Sequence, residues 1–437
     1  GCSAMGQLLA SGTYRPRIAD AQIERYLRLF GAVEISGTKW CGKTWAAMAH
    51  GESITYVDRG ANLQIVQADP AYALAGEHPH VIDEWQRVPQ VWDTVRHAVD
   101  DAAGTKGLWI LTGSSTPLNP GERSHSGAGR IGRIRMSPMT LSETGESGAS
   151  VSLAALFEGE FAASQCPDGL VGLSELACRG GWPEATFLSA DDAQTIVREY
   201  LGLVFEESVP RFGGDGLTAR RLAASLARNL GQSPTAKTLA ADVFALPQDA
   251  KATETQLKDM YRHLEILKNI YLVDEIPGWV PAARSPLRMR TKPKLYFADP
   301  SLAVGLLGGN SSSLLQDWQT FGLVFENLVM RDLGVYARAL PNVSDQPLKY
   351  YRDDAGLEVD AIIERADGSW AAIEVKLSQE KVEAGAKSLL RLRSKLLKDE
   401  LSRTPAPVFM AVITGMGEAP YRRPDGIYVI PIRSLAA

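Results

Sequence analysis

The stretch "EISGTKWCGKTWAAM", Glu34–Met48, carries a glycine, four further residues and then Gly42-Lys43-Thr44. Gly37, Thr38, Lys39, Trp40, Cys41, Gly42, Lys43 and Thr44 thus match G-x-x-x-x-G-K-[ST] in full. The spacing matters because consecutive backbone N–H groups must curl around an anion, which the glycines permit. A helix beginning near Lys43 adds its positive N-terminal end. In such a loop Lys43 reaches the β- and γ-phosphates and Thr44 places its hydroxyl on Mg²⁺. "GAVEIS" reads as a buried strand before the loop and "TWAAMAH" as a helix after it, the context this motif requires. The expected ligands are ATP or ADP with Mg²⁺, and Trp45 joins the loop residues as a nucleotide-contact candidate.

Working outward, "ITYVD", "HVIDE" and "LWILTGSS" recur as short apolar strands separated by helical or loop segments, which predicts a parallel, doubly wound sheet. The strand-end acid Asp83 is the candidate to hold the metal's water shell. Its neighbour Glu84 is the candidate base or orienter for an attacking water. Thr112 or Ser114, at the end of "WILTGSS", is placed to sense a γ-phosphate.

At 437 residues the chain exceeds one core. The reading is a P-loop domain over 1–150, a helical and winged-helix region over 151–300, and an α/β domain over 301–437. Pro120–Ser150 reads mainly as a mobile loop or linker, with "RIRMSP" as one more strand. Helical spacing dominates the middle, in "LTARRLAASLARNL" and "ETQLKDMYRHLEILKNIYLV". Three helices followed by basic "RSPLRMRTKPKLYF" resemble a winged helix. A net charge of -5 gives no global nucleic-acid signature. DNA contact would therefore rest on the basic segments 284–294 and 387–398. The four cysteines lack a CxxC pair, and no apolar run approaches a spanning helix, so the expectation is a cytoplasmic, non-membrane protein without structural zinc. "GCSAM" reads as an added leader, with Met5 the expected start.

"LEVDAIIERADGSWAAIEVKLS" offers a second site. Strand alternation puts Glu374 and Lys376 on one face. A three-residue loop, Ala366-Asp367-Gly368 with Gly368 at positive φ, pairs Asp360 with Glu374, whereas a two-residue turn would throw Asp360 to the other face. A D…E-x-K set uses two carboxylates for Mg²⁺ and a lysine to orient or activate water for phosphodiester attack.

"SGTKWCGKT", "VIDEWQRVP", "WILTGSS", "GAGR", "RGGWPEA", "KLYFADPSLA", "VFENLV" and "EVDAII…IEVK" come in the order seen in a prokaryotic family of AAA-superfamily ATPases with a C-terminal domain of unknown function. The chain resembles that family from about Ile23 to about Ile432. The resemblance implies an ATPase core, a winged-helix middle and a restriction-endonuclease-like, PD-(D/E)XK end. Arg130 of "GAGR" becomes the candidate arginine finger, in cis or from a neighbouring subunit of an oligomer. Glu326 of "VFENLV" becomes an additional metal-binding acid. Lys39 stands where the family usually has arginine, and Trp40 and Trp45 are bulkier than usual, which bears on the base pocket rather than on hydrolysis. Two functions follow from these expectations: an Mg²⁺-dependent ATPase coupled to DNA binding or cleavage, or a nucleotide-switched adaptor for a protein partner with a degenerate C-terminal domain.

Overall fold

The computed structural model describes residues 8–9, 13–118, 127–281, 292–399 and 403–437. They fall into two compact units: one up to Pro138 together with Lys268–Leu272, the other Met139–Leu267 with Val273–Ala437.

The first unit is a five-stranded sheet. Its strands are β1 (Ala32–Ser36), β2 (Ser53–Tyr56), β3 (His80–Asp83), β4 (Trp109–Gly113) and β5 (Ile131–Arg135), in the order β2-β3-β4-β1-β5. Every pairing is parallel. β1, β3 and β4 are almost wholly buried, because apolar side chains leave both faces. One core cluster gathers Val33, Ile35, Val81, Ile110 and Ile134 with Ala46 and Ala47 of helix α1 (Lys43–His50). A second gathers Ile82, Leu111 and Ile131 with Val91, Trp92 and Val95 of helix α2 (Gln90–Asp101). The sheet is therefore covered on both sides. β1 lies between β4 and β5 while the chain continues to the far edge strand β2, so the loop after β1 opens at a crevice over the carboxyl ends of the strands. The linker expectation fails from Gly127 onward: Ile131 and Ile134 are buried, and "RIRMSP" completes the sheet as β5.

The second unit begins with helices: α3 (Leu170–Arg179), α4 (Ala190–Leu203), α5 (Gly216–Arg228), α6 (Ala236–Phe244) and α7 (Glu254–Asn269). Strand β6 (Val273–Ile276) pairs antiparallel with β7 (Lys294–Phe297). Helices α8 (Pro300–Leu307) and α9 (Trp318–Arg338) follow. A six-stranded mixed sheet then holds β8 (Val343–Arg352), β9 (Glu358–Arg365), β10 (Trp370–Lys376), β11 (Phe409–Thr414), β12 (Tyr421–Arg422) and β13 (Tyr428–Pro431), in the order β12-β13-β11-β10-β9-β8. Helix α10 (Val382–Lys398) buries Val382, Ala386, Leu389 and Leu392 against Val359, Trp370 and Val412 of that sheet.

A buried polar network ties this unit together. Arg331 of α9 pairs with Asp299 and Asp332 at 2.9 Å each, all three being buried. Asp299 also accepts from the Gly181 and Ser301 amides, Trp182 donates its indole N–H to Ser301, and Leu141 N–H bonds to Asp332. Asn327 closes two hydrogen bonds on the Phe297 backbone. No helix among the described residues is long and apolar enough to cross a membrane.

Candidate functional site

Between β1 and α1 the backbone turns sharply. Trp40 lies at φ 66° and Gly42 at φ 103°, a region glycine enters without Cβ strain. A Cβ on Gly37 would stand 2.2 Å from the Met136 carbonyl oxygen, so that position admits only hydrogen. Gly42 caps α1, whose first residues Lys43 and Thr44 follow directly. Lys43 is buried and donates to the Thr38 carbonyl at 2.7 Å, which curls its ammonium back over the loop. The Thr38 hydroxyl is buried without a hydrogen-bond partner. Trp40 and Trp45 are each about half exposed, and Lys39 is exposed. Cys41 is buried.

The strand-end acids lie against this loop. Thr44 Oγ1 donates to Asp83 Oδ1 at 2.7 Å, and Thr112 Oγ1 donates to the same oxygen at 2.7 Å. Register explains the second contact, since Asp83 and Thr112 are paired across β3 and β4. Burial pushes the Asp83 carboxyl above its ordinary range, opposed by the two hydroxyl donors. Glu84 adopts φ 59°, a left-handed conformation uncommon for a glutamate. Ser114 Oγ donates to its Oε2 at 2.7 Å and Gln86 Nε2 donates to the same oxygen at 2.6 Å. Thr112 and Ser114 thus each hold one acid. The donor set fits magnesium beside a nucleotide's phosphates: a hydroxyl and a carboxylate at hydrogen-bond distance, a curled lysine, and a buried orphan hydroxyl in the cradle.

Two residues that sequence reasoning misses complete this site. Arg17 donates to the Cys41 carbonyl inside the loop and to the Ser137 carbonyl, both at 2.6 Å. Gln86 orients Glu84. Neither has a motif; both are recognised only by their contacts.

Arg130 does not join its own chain's loop. It immediately precedes β5, whose first residue is level with Ala32 at the start of β1, whereas the loop leaves β1's other end. At 3.3 Å per residue the strand separates them by roughly 15 Å. Arg130 instead pairs with Asp100 at 2.5 Å, holding that carboxyl below its usual range. It is Arg135, whose guanidinium lies 4.1 Å from the Tyr271 ring centre, that ends β5 beside Ser36. A cis role for Arg130 is therefore excluded by strand direction.

In the second unit the hairpin register runs from Ala361↔Ile373 to Glu364↔Trp370, which sets Asp360 opposite Glu374. The connection is Ala366-Asp367-Gly368, with Gly368 at φ 84° and Arg365 N–H bonded to the Ser369 carbonyl. Past the last ladder pair the side chains take over: Asp360 N–H donates to Glu374 Oε1 at 3.2 Å, and Val375 N–H to Asp360 Oδ2 at 2.8 Å. Lys376 lies 3.3 Å from Glu374. Burial, then the Asp360 charge, push the Glu374 carboxyl well above its ordinary range. Burial and Asp360 raise Glu326 to about 8, and Tyr296 donates to Glu326 at 2.6 Å.

These acids do not fit the metal expected of Glu326, Asp360 and Glu374. Among the described residues no three His, Cys, Asp or Glu side chains are arranged to hold a metal ion. Their counter-charges are lysines: Lys376 on Glu374, and Lys294, buried and ion-paired with Glu358. Lys294 closes the basic segment 284–294, so that cation is committed to the interior rather than to a DNA backbone. Residues 284–291 of the same segment lie outside the described residues.

Three stretches of the chain match family descriptions. Residues 30–145 match an AAA domain, 171–313 a domain of unknown function (DUF8612), and 321–435 another (DUF4143). Uncharacterized proteins of Mycobacterium tuberculosis and Mycobacterium bovis are each 27% identical over 355 residues, covering 80% of this chain and 71% of theirs. Among solved structures, a Walker-type ATPase of Pyrococcus abyssi aligns with 70% of this chain and 99% of its own at 14% identity and a TM-score of 0.43. The RuvB Holliday junction branch migration motor of Thermotoga maritima aligns with 59% and 89% at 18% identity and a TM-score of 0.27. Both scores fall below 0.5, and the assignment rests on the domain match and the site itself: residues 30–145 are an AAA-type P-loop domain on a parallel sheet.

Proposed function

We propose that the chain binds and hydrolyses ATP with Mg²⁺ and couples nucleotide state to DNA engagement through its second unit. The carrying observation is the Thr44–Asp83–Thr112 hydrogen-bond chain under a loop that also holds Lys43. Bound Mg-ATP supplies the anhydride to be cleaved. Lys43 exchanges its bond to the Thr38 carbonyl for the phosphates. Thr44 and Asp83 would hold the metal, which would supply charge stabilisation to the phosphates. Glu84, fixed by Ser114 and Gln86, orients the attacking water. ATP turnover is expected to vanish in Lys43→Ala and in Glu84→Gln; an unchanged rate in both sinks the assignment.

The DNA reading takes α5, α6 and α7 with the β6–β7 ribbon as a winged helix, and the β8–β13 sheet as a nuclease-like fold. Its support is cationic: Lys387, Arg391, Lys395 and Lys398 line a groove of roughly 560 Å³ along α10. Lys395 is already paired with Asp353, which leaves Lys387, Arg391 and Lys398; the first two, one turn apart on the helix, are the pair to test. Double substitution by alanine should weaken DNA binding and lower its salt slope by about 1 for each phosphate no longer neutralised.

The adaptor reading is favoured by a different observation, the apolar side chains of Phe187, Leu188, Leu203 and Leu217 exposed in the helical part. Equal background cleavage of DNA by wild type and Asp360→Ala with Mg²⁺ or Mn²⁺, and no DNA binding at low salt, would select it.

A further inference from the structure

We propose that Lys294 is the resident cation of the carboxylate cleft: paired with Glu358 on the strand that also sends Tyr296 to Glu326, its ammonium takes the place a divalent ion would occupy there, with Lys376 on Glu374 as the second cation. This rests on the nuclease-like reading of the C-terminal sheet and restricts it to binding.

The geometry begins with β7. Strand alternation puts Lys294 and Tyr296 on the same face, and both side chains go to the acids: Lys294 to Glu358, Tyr296 to Glu326. The strand thus delivers one full charge and one hydroxyl donor to the same cluster. Lys294 is buried, and an unpaired ammonium there would be expelled or neutralised. Burial alone would lower its pKa, yet the charges of Glu326, Asp360 and Glu358 overcome that and raise it, so the ammonium stays charged. The Tyr350 ring, 4.9 Å from Nζ, adds an aromatic face to the same cation.

Space argues the same way. Gly231, at φ 64°, lies so close that a Cβ there would be 2.8–3.0 Å from the Glu326 carboxylate. The Gly231 backbone therefore packs closely against both oxygens of the Glu326 carboxylate. At the opposite flank Lys376 spans to Glu374, and Arg352 bonds Glu358 at the rim. A divalent ion entering this set would meet Lys294 and Lys376 inside a poorly screened interior, where like-charge repulsion is strongest.

The idea is tested by titrating full-length, nucleotide-free protein with Mn²⁺, following free Mn²⁺ by its paramagnetic resonance signal and the protein by its melting temperature. Wild type and Lys294→Arg should match Asp360→Asn in Mn²⁺ binding, showing no cleft-dependent ion. Lys294→Met should gain one Mn²⁺ per chain with at least about tenfold tighter binding. The gain should disappear when Asp360→Asn is added, and the melting transition of the second unit should persist as the check on folding. Wild-type Mn²⁺ binding that Asp360→Asn abolishes overturns the proposal while leaving the nuclease-like reading standing. A folded Lys294→Met that gains no ion overturns it as well, and removes the latent metal geometry that the nuclease-like reading assumes. Should Lys294→Met not fold, the wild-type, Lys294→Arg and Asp360→Asn comparison decides by itself.

Discussion

Substituting Arg17 by methionine tests whether the phosphate loop is held from outside its own sequence. The Arg17 guanidinium is buried and donates to the carbonyls of Cys41 and Ser137 at 2.6 Å each. A hydrogen bond from a charged donor contributes about 1.5–3 kcal/mol, and loss of the donor leaves a buried carbonyl unsatisfied. Methionine keeps the apolar stem, so packing changes little. The two hydrogen bonds together predict a loss of about 3–5 kcal/mol. In a unit of this size, at about 2–4 °C per kcal/mol, that lowers its melting transition by roughly 10 °C. One of the two bonds lies inside the loop, so ATP affinity should weaken by about tenfold, near 1.4 kcal/mol, with a smaller change in kcat. Arg17→Lys should recover only part of this, because an ammonium lacks the planar fork that reaches both carbonyls. Differential scanning fluorimetry and steady-state ATP turnover read both quantities. Unchanged melting and an unchanged KM in Arg17→Met would refute the reasoning.

Three other outcomes are expected. Gly37→Ala drives a Cβ into the Met136 carbonyl oxygen, which should cost about 3 kcal/mol of stability and eliminate nucleotide binding measured by calorimetry. Arg331→Met strips two buried carboxylates of their partner and should destabilise the second unit by about 3–5 kcal/mol in chemical denaturation, without loss of the first unit's transition. His80 is buried among Ser53, Thr55 and the Ala73 carbonyl, and burial lowers its pKa below 6.5. The unfolded chain therefore takes up a proton first as pH drops. Stability should be fully present above about pH 6.5 and decline as pH falls through the folded value, and His80→Gln should flatten the melting profile across that window.

How much was legible in the sequence follows from how local each signal is. The Gly37–Thr44 loop is contiguous, and its strand and helix flank it directly, so one window reveals the fold of the first unit. The β9–β10 hairpin is equally local: three loop residues fix the register, and the register places Asp360 opposite Glu374. Asp83 was accessible because strand order and strand-end position suffice to nominate it. Arg17 and Gln86 were not, since a side chain reaching a backbone carbonyl or a neighbouring carboxylate carries no spacing signature. Two cations lie where a linear pattern does not show. Arg130 matched a motif, but only the parallel direction of β5 reveals which end of the sheet it occupies. Lys294 lay in a run of positive charge that composition assigns to the surface, while its two-residue spacing from Tyr296 already put both on one face of a strand.

The ordered motifs that carried the family resemblance divide into two physical classes. "SGTKWCGKT", "VIDEWQ" and "WILTGSS" place groups around a cradle for phosphate. "RGGWPEA", "KLYFADPSLA" and "VFENLV" instead supply Gly181, Trp182, Asp299, Ser301 and Asn327 to the network around Arg331, where every hydrogen bond is internal. A buried charge such as Asp299 tolerates little substitution because removing either partner strands the other. Such residues can therefore be held in place by folding alone, and their recurrence is no argument for chemistry. The carboxylate cleft falls between the classes. Asp360, Glu374 and Lys376 have the spacing of a catalytic set, yet Lys294 and Tyr296 reach the neighbouring acids Glu358 and Glu326 from a strand the spacing does not include. Which class the cleft belongs to is thus decided by one ammonium, and a pattern confined to Asp360–Lys376 cannot reveal it.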